Sequence, residues 1–172
     1  MTSTADSVLV SPKGETALVI SRDLQATPEI AWDVHNEPEH VRQWWGLEGH
    51  ENHITEVDLR PGGSWRFGQR GPDGTEVIFG GAYRDLDRPR MFSYTKDWPA
   101  ADPSSEKLEE SLITIWFDGH DQGTTVTLVC EFSSTALRDR VAAGGLDRLR
   151  QSYDRMDKVL ETLRFSEVTE VG

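Results

Sequence analysis

Cysteine occurs once in the 172 residues, at Cys130, so no intramolecular disulfide can form and a reducing compartment suits the chain. That cysteine and 5 scattered histidines supply no cluster with the ligand spacing of a structural zinc site. Basic residues are also scarce. Eighteen Lys and Arg against 30 Asp and Glu give a net charge of −12 and a pI near 4.8. The average field repels phosphate backbones and anionic bilayers, so neither nucleic acid nor membrane insertion is expected. No apolar run approaches the roughly 18 residues needed to span a bilayer. The first residues lack a basic segment followed by a long apolar stretch, so the expected location is cytoplasmic. What is present is 36% hydrophobic, 28% charged and 9% aromatic residues, the composition of one globular domain. A chain of this length buries roughly 70% of its unfolded surface, enough for a core without disulfide, metal or cofactor.

Residues 1–15 read as a flexible leader, 16–164 as the domain and 165–172 as a tail. After the leader, residues 17–24 alternate with period two, placing Leu18, Ile20 and Leu24 on one side of a strand. Thr27-Pro28-Glu29 opens a short helix, because Thr caps orphan N–H groups and Pro lacks an N–H where none is needed. The segment around Pro38 opens a second, which ends near Trp44-Trp45-Gly46. Six strands follow, at residues 53–59, 64–70, 76–86, 90–96, 111–118 and 124–132. Turn residues such as Pro61-Gly62-Gly63 and Pro72-Asp73-Gly74 join them, so consecutive strands are antiparallel. Gly80-Gly81 is a candidate bulge, and the acidic segment 97–110 a mobile flap.

At the end, Ala142, Leu146, Leu149, Tyr153, Met156, Leu160 and Leu163 recur at steps of four and three, an apolar stripe on a helix. Gly144-Gly145 separates a short helix from this main one, which runs to about residue 163. The element order gives an α+β fold, one antiparallel sheet whose concave face takes the long C-terminal helix.

Four segments together carry a family resemblance: NEPEHVRQWWG at 36–46, DLRPGGSWRF at 58–67, RGPDGTE at 70–76 and QSYDRMDKVLETL at 151–163. The chain resembles the bacterial proteins related to the C-terminal domain of the activator of heat-shock-protein-90 ATPase, in the SRPBCC or START-like superfamily. The resemblance implies a helix-grip fold, in which a curved antiparallel sheet and the long helix enclose a cavity that often takes an apolar small molecule. Relatives include lipid carriers, polyketide aromatase/cyclases and a co-chaperone, so the fold alone does not choose among these roles. Many relatives carry Gly-Trp where this chain has Arg148-Leu149, which implies a roomier or differently shaped cavity.

Candidate ligand contacts are Trp45, Trp65, Phe67, Phe79, Phe92, Tyr94, Phe117, Leu149, Tyr153 and Met156. Flat apolar walls bind carbon skeletons while a few polar tips orient them; ordinary core packing explains the same aromatic rows. Trp44-Trp45 either gate a cavity mouth or pack beneath the sheet. Lys96 shares the face of Phe92 and Tyr94 and can pair with a carboxylate or phenolate, although a strand-end lysine reaching into solvent is the plainer reading. The histidines at 35, 40, 50, 53 and 120 read as surface groups, and Cys130 as a small buried hydrophobe. Trp116 alternates with Ile115 and Phe117 and points outward, where with Trp98 it forms a possible patch for a homodimer or another partner.

No acid–base constellation stands out, so no catalytic residue is assigned. The expected function is binding of a small hydrophobic molecule (lipid, aromatic or polyketide-like). An aromatase/cyclase or hydrolase using Tyr94, Tyr153 or Lys96, and a co-chaperone-like interaction module, are the alternatives.

Overall fold

The computed structural model describes residues 8–99, 104, 108–144 and 146–170. In chain order the elements are β1 (Leu9–Lys13), β2 (Ala17–Leu24), α1 (Pro28–Asn36), α2 (Pro38–Trp44), β3 (Glu51–Val57), β4 (Ser64–Arg70), β5 (Glu76–Asp87), β6 (Met91–Pro99), β7 (Leu108–His120), β8 (Gly123–Phe132), α3 (Thr135–Gly144) and α4 (Leu146–Glu170). All neighbouring strands are antiparallel, in the order β1-β2-β8-β7-β6-β5-β4-β3. Helices α1 and α2 carry the chain from β2 to the opposite edge, and successive hairpins bring it back until β8 lies beside β2. The result is the α+β helix-grip arrangement.

The helix boundaries follow from local chemistry. The Thr27 hydroxyl accepts from the Ile30 N–H at 3.3 Å, and Pro28 occupies the first turn. Glu37 precedes a proline and is therefore extended, at φ −80° and ψ 127°, which divides α1 from α2. Inward rows follow the period-two reading: Leu18, Ile20 and Leu24, then Trp65 and Phe67, then Ile113, Ile115 and Phe117, then Val126, Leu128, Cys130 and Phe132 are buried. From α4 come Tyr153, Met156 and Leu160, also buried. Ala142 is exposed, because the break after Gly144 sets α3 in a different helical phase; Leu137 is the residue α3 buries.

Several expectations are corrected. Residues 9–13 of the expected leader form β1, an edge strand paired with β2 from Leu9↔Ser21 to Lys13↔Ala17. The last helix continues to Glu170, through most of the expected tail at 165–172. Residues 100–103 and 105–107 of the expected flap lie outside the described residues. Strand β3 spans Glu51–Val57 rather than 53–59 and carries an irregularity between Asn52 and Ile54.

The register of β5 shifts between Tyr83 and Leu86, not at Gly80-Gly81, which pair regularly with β4. Gly81 has another role. Between Phe79 and Tyr83 on the inward row, a Cβ there would lie 1.9 Å from the Thr95 carbonyl oxygen and 3.0 Å from Trp65 Nε1. Only a missing side chain lets β6 and the Trp65 indole approach so closely, and Trp65 Nε1 donates to that same carbonyl at 2.9 Å.

Trp98 and Trp116 do not share a patch. Trp98 turns inward, donating to Ser111 Oγ at 2.8 Å with its ring against Phe79 and Phe132. Trp116 faces outward from β7, half-buried, beneath the Arg90 guanidinium at 5.3 Å. Trp116→Ala is accordingly expected to lower stability by about 1 kcal/mol with an unchanged elution profile in size-exclusion chromatography. A shift to a smaller species would restore Trp116 as an interface residue.

Candidate functional site

Between the concave sheet face and α4 lies a cavity of about 150 Å³. Its walls include Trp45, Trp65, Phe67, Phe92, Tyr94, Leu149 and Tyr153, seven of the ten residues that the sequence suggested. The other three lie behind the wall. Phe117 stacks on Phe92 at 6.0 Å, Phe79 packs edge-on to Trp45 and Trp98, and Met156 is fully enclosed in the core. These three are not among the residues that line the cavity, although the Phe79 ring also meets two that do, Lys96 and Arg148.

The loop after α2 places Trp45. Gln69, 2% exposed, both accepts from the Leu47 N–H at 2.9 Å and donates to the Leu47 carbonyl at 2.9 Å. Asn52 Nδ2 donates to the Trp45 carbonyl at 2.9 Å. From α4, Ser152 Oγ accepts from Gly46 N–H at 2.8 Å, and the Arg155 guanidinium donates to the carbonyls of Trp45, Leu47 and Gln43. Gly46 has φ +82°, and a Cβ there would meet Gln69 at 2.5 Å. The loop is thus clamped between β4 and α4, with the Trp45 indole edge-on to Phe67 at 5.7 Å.

Polar groups also reach the cavity. His35, expected at the surface, is 7% exposed. It lies on the face of α1 that holds Ala31, four residues earlier, a spacing that could have revealed its burial. Its Nδ1 is 2.6 Å from the Ala31 carbonyl, which can only accept, so Nδ1 carries the proton. Nε2 therefore accepts from the Tyr153 hydroxyl at 3.1 Å. Burial holds the imidazole down to about 4, against the opposing pull of the Ala31 hydrogen bond, so it is neutral at pH 7. Burial raises the Tyr94 and Tyr153 phenols well above the ordinary range, and the Cys130 thiol to about 12. None of the three is a nucleophile or base near neutrality.

Lys96 is the largest departure from expectation. It faces inward and lines the cavity, with Nζ 4.0 Å from the Trp98 ring centroid and 4.2 Å from that of Phe79. Burial, with the Arg148 charge adding to it, lowers its ammonium to about 8. Arg148 also lines the cavity, its guanidinium 5.5 Å from the same Phe79 ring. The period-two pattern had put Lys96 on this face; what it could not show is that the strand runs on to Pro99, so Lys96 is not at its end.

A family profile described as activator of Hsp90 ATPase homolog 1-like protein matches residues 25–161. The chain belongs to that family. No curated protein matches the chain. Among solved structures, a Rhodobacter sphaeroides protein is 22% identical with a TM-score of 0.80, over 91% of this chain and 99% of that one. A Mycobacterium smegmatis protein is 24% identical with a TM-score of 0.75, over 90% and 97%. An AHSA1-like protein from Aeromonas hydrophila is 18% identical with a TM-score of 0.60, over 80% and 92%. At these identities the likeness shows the fold. Among the described residues, no helix of this family member is long and apolar enough to cross a membrane. Arg148 and Leu149 both line its cavity.

Proposed function

We propose that the protein binds a small apolar or aromatic molecule in the cavity between sheet and α4, holding it rather than transforming it. The observation that carries this reading is the largely aromatic wall around about 150 Å³. An apolar cavity near that volume holds a single benzene-sized ring, whereas drug-sized ligands occupy roughly 300 Å³ or more. A one-ring compound therefore fits the cavity as it stands, and a lipid or polyketide requires side chains to move aside. Burial of apolar ligand surface supplies roughly 25 cal/mol per Å² before association costs.

Catalysis has weaker support. The Tyr153 hydroxyl is committed to His35, and among the described residues no acidic side chain lines the cavity. For a surface-acting co-chaperone role, the large exposed apolar residues Leu9, Leu59, Ile78 and Leu108 are distributed over β1, the β3–β4 turn, β5 and β7. A free, buried Cys130 supports a reducing, cytoplasmic setting.

Leu149→Trp tests the cavity reading. The larger ring fills space at the α4 wall, so affinity for a one-ring aromatic compound is expected to fall at least tenfold in a tryptophan-fluorescence titration, with the fold retained by circular dichroism. Unchanged affinity would place the ligand elsewhere or dispose of the reading. Native mass spectrometry of freshly purified protein gives a second check, since a stoichiometric adduct names the compound class.

A further inference from the structure

Among the described residues, two cations and no carboxylate line the cavity. Lys96 and Arg148 approach the same Phe79 ring, one from β6 and the other from α4. Among the described residues no carboxylate lies within ion-pair distance of either. Two like charges beside an apolar wall raise each other's energy, and the ring faces offset only part of that cost. Asn36 also lines the cavity at 1% exposure; its Nδ2 donates to the Trp32 carbonyl at 2.9 Å, while its Oδ1 has no hydrogen-bond partner.

Building on the reading of the cavity as a binding site, we propose that its ligand is a small aromatic carboxylate. The ring sits among Trp45, Trp65, Phe92 and Tyr94, and the carboxylate pairs with Lys96, assisted by Arg148. The anion removes the repulsion between the two cations, an interaction strengthened by the low dielectric of the aromatic wall. A neutral ligand of the same shape gains the burial but leaves the cations uncompensated.

The test compares benzoate with benzamide, its uncharged isostere, on the full chain at pH 7, by isothermal titration calorimetry and quenching of tryptophan fluorescence. Benzoate is expected to bind at least tenfold more tightly. In Lys96→Met that preference disappears through loss of benzoate affinity, with benzamide binding retained; in Arg148→Met it shrinks. Thermal melts of both variants establish that they fold, and Arg148→Met, at a half-buried position, gives a readout if Lys96→Met does not. Preference is also expected to fall as the pH rises beyond 8. Of the groups facing Lys96 and the ring, Arg148 stays charged, while Cys130, Tyr94, Tyr153 and His35 stay neutral. Equal affinity for both probes, or a preference that survives both substitutions, overturns the inference and leaves the cavity reading standing. Binding of neither probe overturns both.

Discussion

The double substitution Asp154→Asn and Asp157→Asn is expected to lower stability by about 3–5 kcal/mol, whereas Arg22→Met costs less than half of that. Arg22 continues the inward row of Leu18, Ile20 and Leu24 and is 3% exposed. Its guanidinium meets α4 through Asp154 at 2.9 Å and through Asp157, and lies 5.8 Å from the Tyr153 ring centroid. The two ends of this pairing are unequal. The Asp154 side chain is 66% exposed and that of Asp157 33%, against 1% for Arg22.

Removing the arginine thus leaves carboxylates that water can solvate, and methionine fills part of the apolar slot. Replacing the carboxylates by amides leaves a buried cation without a counter-charge, with Nε already unsatisfied, and the desolvation of that charge is no longer offset by ion pairing. Urea unfolding of the two variants measures the difference. Arg22→Met proving the more damaging would mean that the guanidinium acts through packing rather than through its charge.

Acidification gives the second large effect, through His35. Its folded value of about 4 lies below the ordinary 6.5, so between those limits the unfolded chain binds more protons than the folded one. Stability from the neutral imidazole is complete above about pH 6.5 and is lost as the pH falls toward 4. At about 1.4 kcal/mol per pKa unit, the loss over that window is on the order of 3 kcal/mol.

The structural cause is specific. Nδ1 has an acceptor in Ala31, but a proton on Nε2 faces the Tyr153 hydroxyl, which must reverse its hydrogen bond, within a ring of Trp44, Phe92 and Phe117. His35→Phe removes the titrating group while keeping an aromatic ring. Its unfolding free energy, measured against that of the unsubstituted chain from pH 7 down to pH 4.5, is expected to converge on it, because only the latter loses the histidine contribution. Parallel curves would show that His35 does not titrate in this range.

These residues also mark where local pattern stops being informative. Arg22, His35 and Lys96 each sit at a position that the strand or helix period assigns inward, four residues from Ala31 in the case of His35 and two from Tyr94 in the case of Lys96. Polarity argued the other way. A charged side chain is normally solvated, and what overrode that expectation was a set of partners brought up by the fold: Asp154 and Asp157 of α4 for Arg22, Tyr153 of α4 for His35, and for Lys96 the rings of Phe79 on the neighbouring strand and Trp98 on its own. Trp98 was misplaced for a related reason, because β6 runs inward-facing for longer than the turn signals indicated.

Alternation of apolar residues, proline and glycine at turns and helix starts, and the stripe on the last helix were sufficient for the order of elements from β2 onward, the antiparallel sheet and the inward rows, and pointed to seven side chains that line the cavity, because those features depend on neighbours along the chain. Which aromatic rings bound empty space and which merely pack behind them depends on how β4, β6 and α4 approach one another. So does the approach of Lys96 and Arg148 to the same Phe79 ring. Sheet curvature and the close contact permitted at Gly81 set those approaches, and only the tertiary structure could decide them.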